Sequence, residues 1–406
     1  MLKRAFGYAV VVFSISAFTI YCASYLTVSR PSFHRKFLSK ASRLDDANFL
    51  AINKSNNIAQ MQHDTCKAIR PLSHRRKTLL LWTPVSFTWS IRWSLKNCPA
   101  VKGCRLISDR RLLNESDAVI FHFRNGSFDR LPTCRRPDQR YVYLNFESAI
   151  RSRSSYPWGK LPRHFFNLTA TYRSDSDFVG LAFGGFQFEP KEKFMIQQQA
   201  ADWTNYYGIN ITSKTKTAAW FASNCKTSIN REGYVRELQK YIPVDVFGKC
   251  LKNPKTCPRK KQKECDDMLK REYLFYLSFE NSFCPDYVTE KFYRAFETGT
   301  VPVVFGGANY SLFAPAHSYI NARDFKTPKL LAEYLIQLSR NLNLYSRYFD
   351  WKGKFNLRKS SGWACKLCKM LHTDLRVTAA KSYEDIGEWF FDKNTCENYQ
   401  WENVSS

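Results

Sequence analysis

Two doubly wound α/β domains facing a cleft, behind one N-terminal membrane helix and a stem, form the architecture that this 406-residue sequence predicts. Three observations predict it. From Lys77 onward, short runs rich in Val, Ile, Phe, Tyr and Leu alternate with helical patterns, the rhythm of parallel sheets covered on both faces. A polar, Lys- and Thr-rich break at Thr212–Thr217 divides these runs into two groups. Only one stretch, Phe6–Leu26, is long and apolar enough to span a bilayer.

Phe6–Leu26 has 21 residues and no charge, and it follows a short tail (residues 1–5) carrying Lys3 and Arg4. The run is longer than a signal-peptide core, which favours an uncleaved anchor; Cys22-Ala23-Ser24 keeps a cleaved signal as the competing reading. Residues 27–76 are polar and basic and read as a stem. Arg30, Arg35, Lys36, Lys40 and Arg43, counted by the positive-inside rule, would put the following chain in the cytoplasm. Two features oppose that. Seven N-x-S/T sites follow the anchor, at Asn53, Asn114, Asn125, Asn167, Asn210, Asn309 and Asn403. Twelve of the 13 cysteines also lie beyond it, which suits an oxidising lumen. The expected topology therefore places the bulk of the chain in the secretory lumen.

Composition excludes other classes. The chain is 44% hydrophobic and 16% aromatic, too apolar to remain disordered. Its net charge of +27 calls for an anionic partner or surface, and a lumenal location argues against nucleic acid.

Strands are expected at Thr78–Trp82, Ala118–Phe123, Tyr141–Phe146, Ala218–Ala222, Val244–Phe247, Tyr273–Phe279 and Val301–Phe305. Helices are expected from a Ser228 cap to about Tyr241, from a Thr289 cap through Glu297 to Gly299, and from a Thr327 cap with Pro328 first to about Arg340. The domains then run over residues 77–213 and 214–406. Ligands of open α/β sheets sit beyond the carboxyl ends of the strands, so the loops there are the place to look for chemistry. Neither a G-x-G-x-x-G nor a P-loop pattern is present.

The stretch Tyr273–Phe325 is the richest. A buried strand delivers Glu280, Asn281 and Ser282 to the sheet edge, and a helix capped by Thr289 follows with Glu290 and Lys291 in its first turn. A helix N-terminus with a lysine favours anions, and Glu290 is placed to accept from sugar hydroxyls. An ordinary capped helix, with Lys291 in solvent, is the alternative.

Phe279–Ser282, Tyr287-Val288-Thr289-Glu290-Lys291 and Gly299–Val304 together resemble the signature of the α1,3-fucosyltransferases, type II Golgi membrane enzymes. Ala118–His122, Arg140–Ser148, Asn167–Asp177, Pro243–Gly248 and the pair Cys365/Cys368 fit the same family in order, so the likeness covers roughly Lys77 to Phe391. It implies a GT-B fold of two Rossmann-like domains, GDP-fucose as donor, and inverting transfer of L-fucose to the 3-hydroxyl of N-acetylglucosamine in a glycan. It also implies no essential cofactor, with Mn²⁺ or Mg²⁺ at most a stimulant. The same fold with another nucleotide sugar, or a non-catalytic lumenal glycan-binding protein, is the alternative. The sequence sets neither the acceptor glycan nor the oligomeric state.

The resemblance assigns residues. Glu147, in Phe146-Glu147-Ser148 at the end of a strand, matches the base that takes the acceptor proton; Ala149 stands where many members have proline. Arg231 and Lys291 match cations on the diphosphate, Glu290 the ribose-facing glutamate, and Asn281 and Tyr287 further donor-pocket positions. His122 is a weaker candidate for the acceptor cleft, with a satisfied strand-end histidine as its alternative. Asp175-Ser176-Asp177 imitates a metal-binding D-x-D, but it matches the family's own Y-R-x-D-S-D element and reads as a structural loop. Cys98, Cys104, Cys365 and Cys368 read as disulfide cysteines tying the C-terminal segment to the first domain, in preference to a zinc site. Cys250, Cys257 and Cys265 read as staples of a Lys-rich insertion, Lys249–Lys263.

Overall fold

The computed structural model describes residues 76–98, 103–123, 130–156, 159–179, 186–192, 208–251, 255–257, 261–373, 381–392, 396–397, 399 and 401. The expected anchor, the stem up to residue 75 and the sequons at Asn53, Asn125 and Asn403 lie outside the described residues. Among the described residues no helix is long and apolar enough to cross a membrane.

The first sheet holds β1 (Lys77–Leu81), β2 (Cys104–Ile107), β3 (Ala118–His122), β4 (Arg140–Asn145), β5 (Leu168–Thr171) and β6 (Phe178–Val179). They lie in the order β2-β1-β3-β4-β5-β6, every pair parallel. Alternate side chains feed two cores, as the two-residue period of a strand requires. Leu80, Val119, Phe121, Tyr141 and Tyr143 enter one. Leu79, Leu81, Ile120, Val142 and Leu144 enter the other. Burial on both faces explains why these strands read as unbroken apolar runs.

The second sheet holds β8 (Lys216–Ala222), β9 (Val244–Gly248), β10 (Tyr273–Phe279), β11 (Val301–Phe305) and β12 (Ile320–Asn321), ordered β12-β11-β10-β8-β9 and again all parallel. β7 (Phe186–Pro190) pairs antiparallel with β13 (Phe355–Lys359). Both large sheets have the doubly wound order in which the second strand flanks the first and the rest proceed from its other side. Seven strands match the sequence expectation to within two residues. β2, β5, β6, β7, β12 and β13 went unread because they are short, partly polar, or paired only with a distant segment.

The helices are α1 (Thr88–Lys96), α2 (Arg231–Leu238), α3 (Gln262–Glu272), α4 (Glu290–Thr298), α5 (Pro328–Arg340), α6 (Gly362–Thr373) and α7 (Ile386–Phe390), with shorter turns between them. α5 begins as expected: Thr327 accepts from Leu330 N and Pro328 occupies the first turn. α4 ends at Gly299 in the left-handed conformation that glycine adopts at least cost. The Ser228 cap is corrected. α2 is capped by Asn230, itself left-handed (φ 47°), whose side chain accepts from Gly233 N.

The polar break at Thr212–Thr217 is not a solvated linker throughout, since Lys214 is buried and donates to Lys270 O at 2.7 Å and Tyr273 O at 3.0 Å. The C-terminal segment returns to the first sheet: α6 buries Trp363, Ala364, Leu367 and Leu371 against it, and Cys98–Cys365 and Cys104–Cys368 lock that return. Cys104 and Cys368 also lie near His372, but their disulfide removes the thiolates a metal would need. Cys225–Cys250 and Cys257–Cys265 staple the Lys-rich insertion. Asn210 and Asn309 are exposed and Asn114 is half-buried. Asn167 is buried, accepting from Tyr141 N and donating to Lys381 O, so a glycan there requires Lys381 to give way.

Candidate active site

The strand order of the second sheet reverses between β8 and β10, the position at which open α/β sheets form a ligand crevice. The loop after β8 delivers Asn224 and the start of α2; the loop after β10 runs from Glu280 to Thr289 and starts α4. From the first sheet, the loops after β4 and β5 meet the second of these.

Glu147 stands in the loop directly after β4, half-buried. Its Oε1 accepts from Tyr287 Oη at 3.0 Å, Asn281 Nδ2 at 3.1 Å and Ser148 N at 3.1 Å. Beside it, the Ser148 and Ser282 hydroxyls lie 2.7 Å apart. Ser174 donates from N (2.9 Å) and Oγ (2.6 Å) to Asp286 Oδ2, with Asp286 in a left-handed turn (φ 60°). Four residue pairs thus join the loops of the two sheets around one carboxylate.

Asn281 and Tyr287, expected as donor-pocket positions, both donate to Glu147. Tyr287 is only 3% exposed, its ring edge-on to Tyr172 at 5.0 Å, so it offers no open face for base stacking. Burial, and then the charge of Glu147, raise its phenol well above the usual range.

At the start of α4, Lys291 Nζ donates to Thr289 Oγ1 (2.7 Å), Glu280 Oε2 (3.1 Å) and Glu290 Oε1 (3.4 Å). Burial works against its charge, but Glu280 and Glu290 outweigh that and raise it. Glu290 is partly exposed; burial pushes its carboxyl up, and Lys291, its own backbone N–H at the helix start and Arg294 together bring it below the usual value. Lys291 is therefore not a solvated side chain.

Arg231 departs from expectation. It is 2% exposed and lies beneath the crevice, its two terminal nitrogens donating to Phe279 O (2.5 Å) and Asn224 O (3.1 Å). Its fork ties the loop after β8 to the end of β10 in place of presenting a two-pronged grip at the surface. His122 is likewise corrected as a cleft-lining residue: it is 4% exposed, edge-on to Phe87 at 5.3 Å, and its backbone is bonded to the Thr83 hydroxyl.

The Asp175–Asp177 turn is structural in its bonding. Asp175 pairs with Arg173, and Asp177 accepts from Thr169 N, Thr169 Oγ1 and Tyr383 Oη and pairs with Lys381.

The sequence places Glu280 at a strand end without a role and does not pair Cys284. Glu280 is fully buried, and Cys284 is disulfide-bonded to Cys396, clipping the loop after β10 to the C-terminal tail. Glu280 was visible only as an acid at a strand end; which donors surround it is set by the fold.

Comparison with known proteins gives concordant results. Residues 74–181 match the family described as Fucosyltransferase, N-terminal, and residues 211–389 match Glycosyltransferase family 10 (fucosyltransferase) C-term. The chain is 34% identical over 348 residues to the alpha-(1,3)-fucosyltransferase C of Drosophila melanogaster, covering 79% of this chain and 78% of that one. It is 34% identical to the glycoprotein 3-alpha-L-fucosyltransferase A of the same organism, covering 82% of this chain and 64% of that one. It is 33% identical to the mouse (Mus musculus) 4-galactosyl-N-acetylglucosaminide 3-alpha-L-fucosyltransferase 9, covering 77% and 82%. A crystal structure of an alpha1,3-fucosyltransferase with GDP-fucose aligns over 80% of this chain and 98% of that chain, with a TM-score of 0.48 and 15% identity.

Proposed function

Because the chain belongs to glycosyltransferase family 10, the α1,3-fucosyltransferases, we propose that its crevice transfers L-fucose from GDP-fucose to the 3-hydroxyl of an N-acetylglucosamine residue, with inversion. The observation that carries this reading is the placement of Glu147: a carboxylate from one sheet's edge, oriented by Asn281 and Tyr287 from the other.

The chemistry follows from the groups present. Glu147 takes the proton of the incoming hydroxyl as its oxygen forms the bond to the fucose C1. The bond from C1 to the β-phosphate oxygen breaks, and GDP leaves with the electron pair. Attack opposite the leaving group inverts that carbon. General-base assistance is worth roughly 10²–10⁴ in rate. Charge growing on the departing diphosphate is met by Lys291, whose side chain is largely buried, and by the N-terminus of α4. Arg231 adds positive potential from below and holds the loop ends. No step requires a metal, and we assign Mn²⁺ or Mg²⁺ at most a stimulating role.

The acceptor class is an N-acetylglucosamine-containing glycan. Relatives at 34% and 33% identity carry different acceptors in their names, so overall likeness does not choose between an N-glycan core and an antenna. The sequons and paired cysteines favour a lumenal, Golgi-membrane setting, with Phe6–Leu26 as anchor.

The test is to incubate the full-length chain, made in a secretory host, with GDP-fucose and a panel of defined glycans, and to locate new fucose by mass spectrometry. Fucose α-linked at O3 of N-acetylglucosamine is expected. Transfer to another position, or turnover only with a different nucleotide sugar, refutes the reading.

A further inference from the structure

We propose that Glu280 is a positioning residue for donor binding: its buried carboxylate seats Lys291 and the first residue before α4 so that the ammonium meets the diphosphate. The inference rests on Lys291 being the phosphate-binding cation, as read above.

Glu280 follows β10 directly and is 0% exposed. Removing a carboxylate from water is costly unless donors satisfy it. Here Oε1 accepts from Thr289 N and Thr289 Oγ1, both at 2.8 Å, and Oε2 accepts from Thr289 Oγ1 at 3.0 Å and Lys291 Nζ at 3.1 Å. One side chain therefore ties down both the cap of α4 and the lysine two residues later.

The backbone around Glu280 is fixed as well. Its N–H donates to Phe305 O at 2.9 Å. Gly306 packs so close that a Cβ there would stand 3.4 Å from Glu280 Cγ and 2.4 Å from Tyr310 Oη. A carboxylate with no view of solvent acts through its neighbours, and among these Lys291 is the cation read above as meeting the diphosphate. Thr289 completes the device, since its hydroxyl also receives Lys291 Nζ at 2.7 Å. The long, flexible lysine chain is thereby ordered before the donor arrives, which removes an entropic cost from binding.

Two accounts of Glu280 predict opposite signs. If it were only a negative charge near the phosphates, neutralising it would tighten GDP binding. If it seats Lys291, neutralising it loosens GDP. The experiment measures GDP affinity by calorimetry, and KM and kcat for GDP-fucose, in the full-length chain carrying Glu280→Gln, Lys291→Ala or both, with a thermal melt for each. We expect Glu280→Gln to weaken GDP about tenfold and to add less than about twofold in the Lys291→Ala background. GDP affinity equal to or tighter than wild type in Glu280→Gln, or effects that multiply in the double variant, overturn the proposal. Should Glu280→Gln fail to fold, Thr289→Val takes its place: GDP weakened several-fold supports the device and unchanged affinity overturns it. Lys291→Ala binding GDP like wild type removes the phosphate reading itself and this inference with it, whereas a weakened Lys291→Ala beside a normal Glu280→Gln refutes this inference alone.

Discussion

Glu147 accepts a 3.0 Å hydrogen bond from the hydroxyl of Tyr287, across the line where the loops of the two sheets meet. The pair lies 140 residues apart in sequence. A carboxylate that follows a strand of one sheet is thus held by a phenol from a loop of the other, and the contact exists only when both sheets are docked.

Glu147→Gln keeps size and most hydrogen-bonding capacity and removes the proton acceptor. Transfer should fall by roughly 10²–10⁴, while GDP affinity stays within about twofold. Single-turnover kinetics beside calorimetry check this; retained turnover would end the base assignment.

Tyr287→Phe removes one donor to Glu147 and leaves the ring against Tyr172. Hydrogen bonds to charged groups are worth about 1.5–3 kcal/mol, so kcat should drop about tenfold or more with little change in the donor KM. A change confined to donor KM would return Tyr287 to the nucleotide pocket.

Lys291→Ala removes the ammonium proposed to meet the diphosphate and leaves Glu280 buried without its partner. The KM for GDP-fucose should rise roughly 10- to 150-fold, the range for losing such a hydrogen bond. Initial rates at saturating acceptor measure it.

Cys396→Ser opens the disulfide to Cys284, which holds the loop carrying Asn281 and Tyr287 to the C-terminal tail. Losing a disulfide across so long a span costs about 2–5 kcal/mol. The melting temperature should fall and the donor KM should rise. Calorimetric melts and kinetics of the purified variant decide; wild-type values in both would show the clip to be dispensable.

Lys214 gives a pH signature. Burial, with Lys270 adding repulsion, lowers its pKa from 10.5 to about 7. Below pH 7 the ammonium is charged in the folded and unfolded states alike, and the burial penalty is full. Between about 7 and 10.5 the unfolded chain binds the extra proton, so stability rises with pH. Wild type should therefore gain stability relative to Lys214→Met as pH goes from 7 to 9, in denaturant titrations of both. A constant difference would show that Lys214 is not a depressed lysine.

Much of the scaffold is legible in the chain because it is local. Tyr273–Phe279 and Val301–Phe305 are continuous apolar runs, and a strand buried on both faces needs nothing else to announce itself. Thr327-Pro328 and Gly299 mark helix ends through backbone rules that operate within a few residues. β7 and β13, by contrast, pair Phe186 with Lys359 across a long stretch of chain, and no neighbour in sequence reveals it.

The site divides the same way. Glu147, Glu290 and Lys291 follow from strand ends, a helix start and the family pattern they resemble. That Asn281 and Tyr287 hold Glu147, that Arg231 ties Phe279 to Asn224, and that Glu280 underlies Lys291 are matters of distance that the sequence does not state. Sequence by itself determined which segments become strands and helices and where charge gathers, because those depend on short-range sterics and apolar period. Only the tertiary structure decided which charged groups meet and which lose water, because a hydrogen bond of 3 Å is set by the docking of whole sheets.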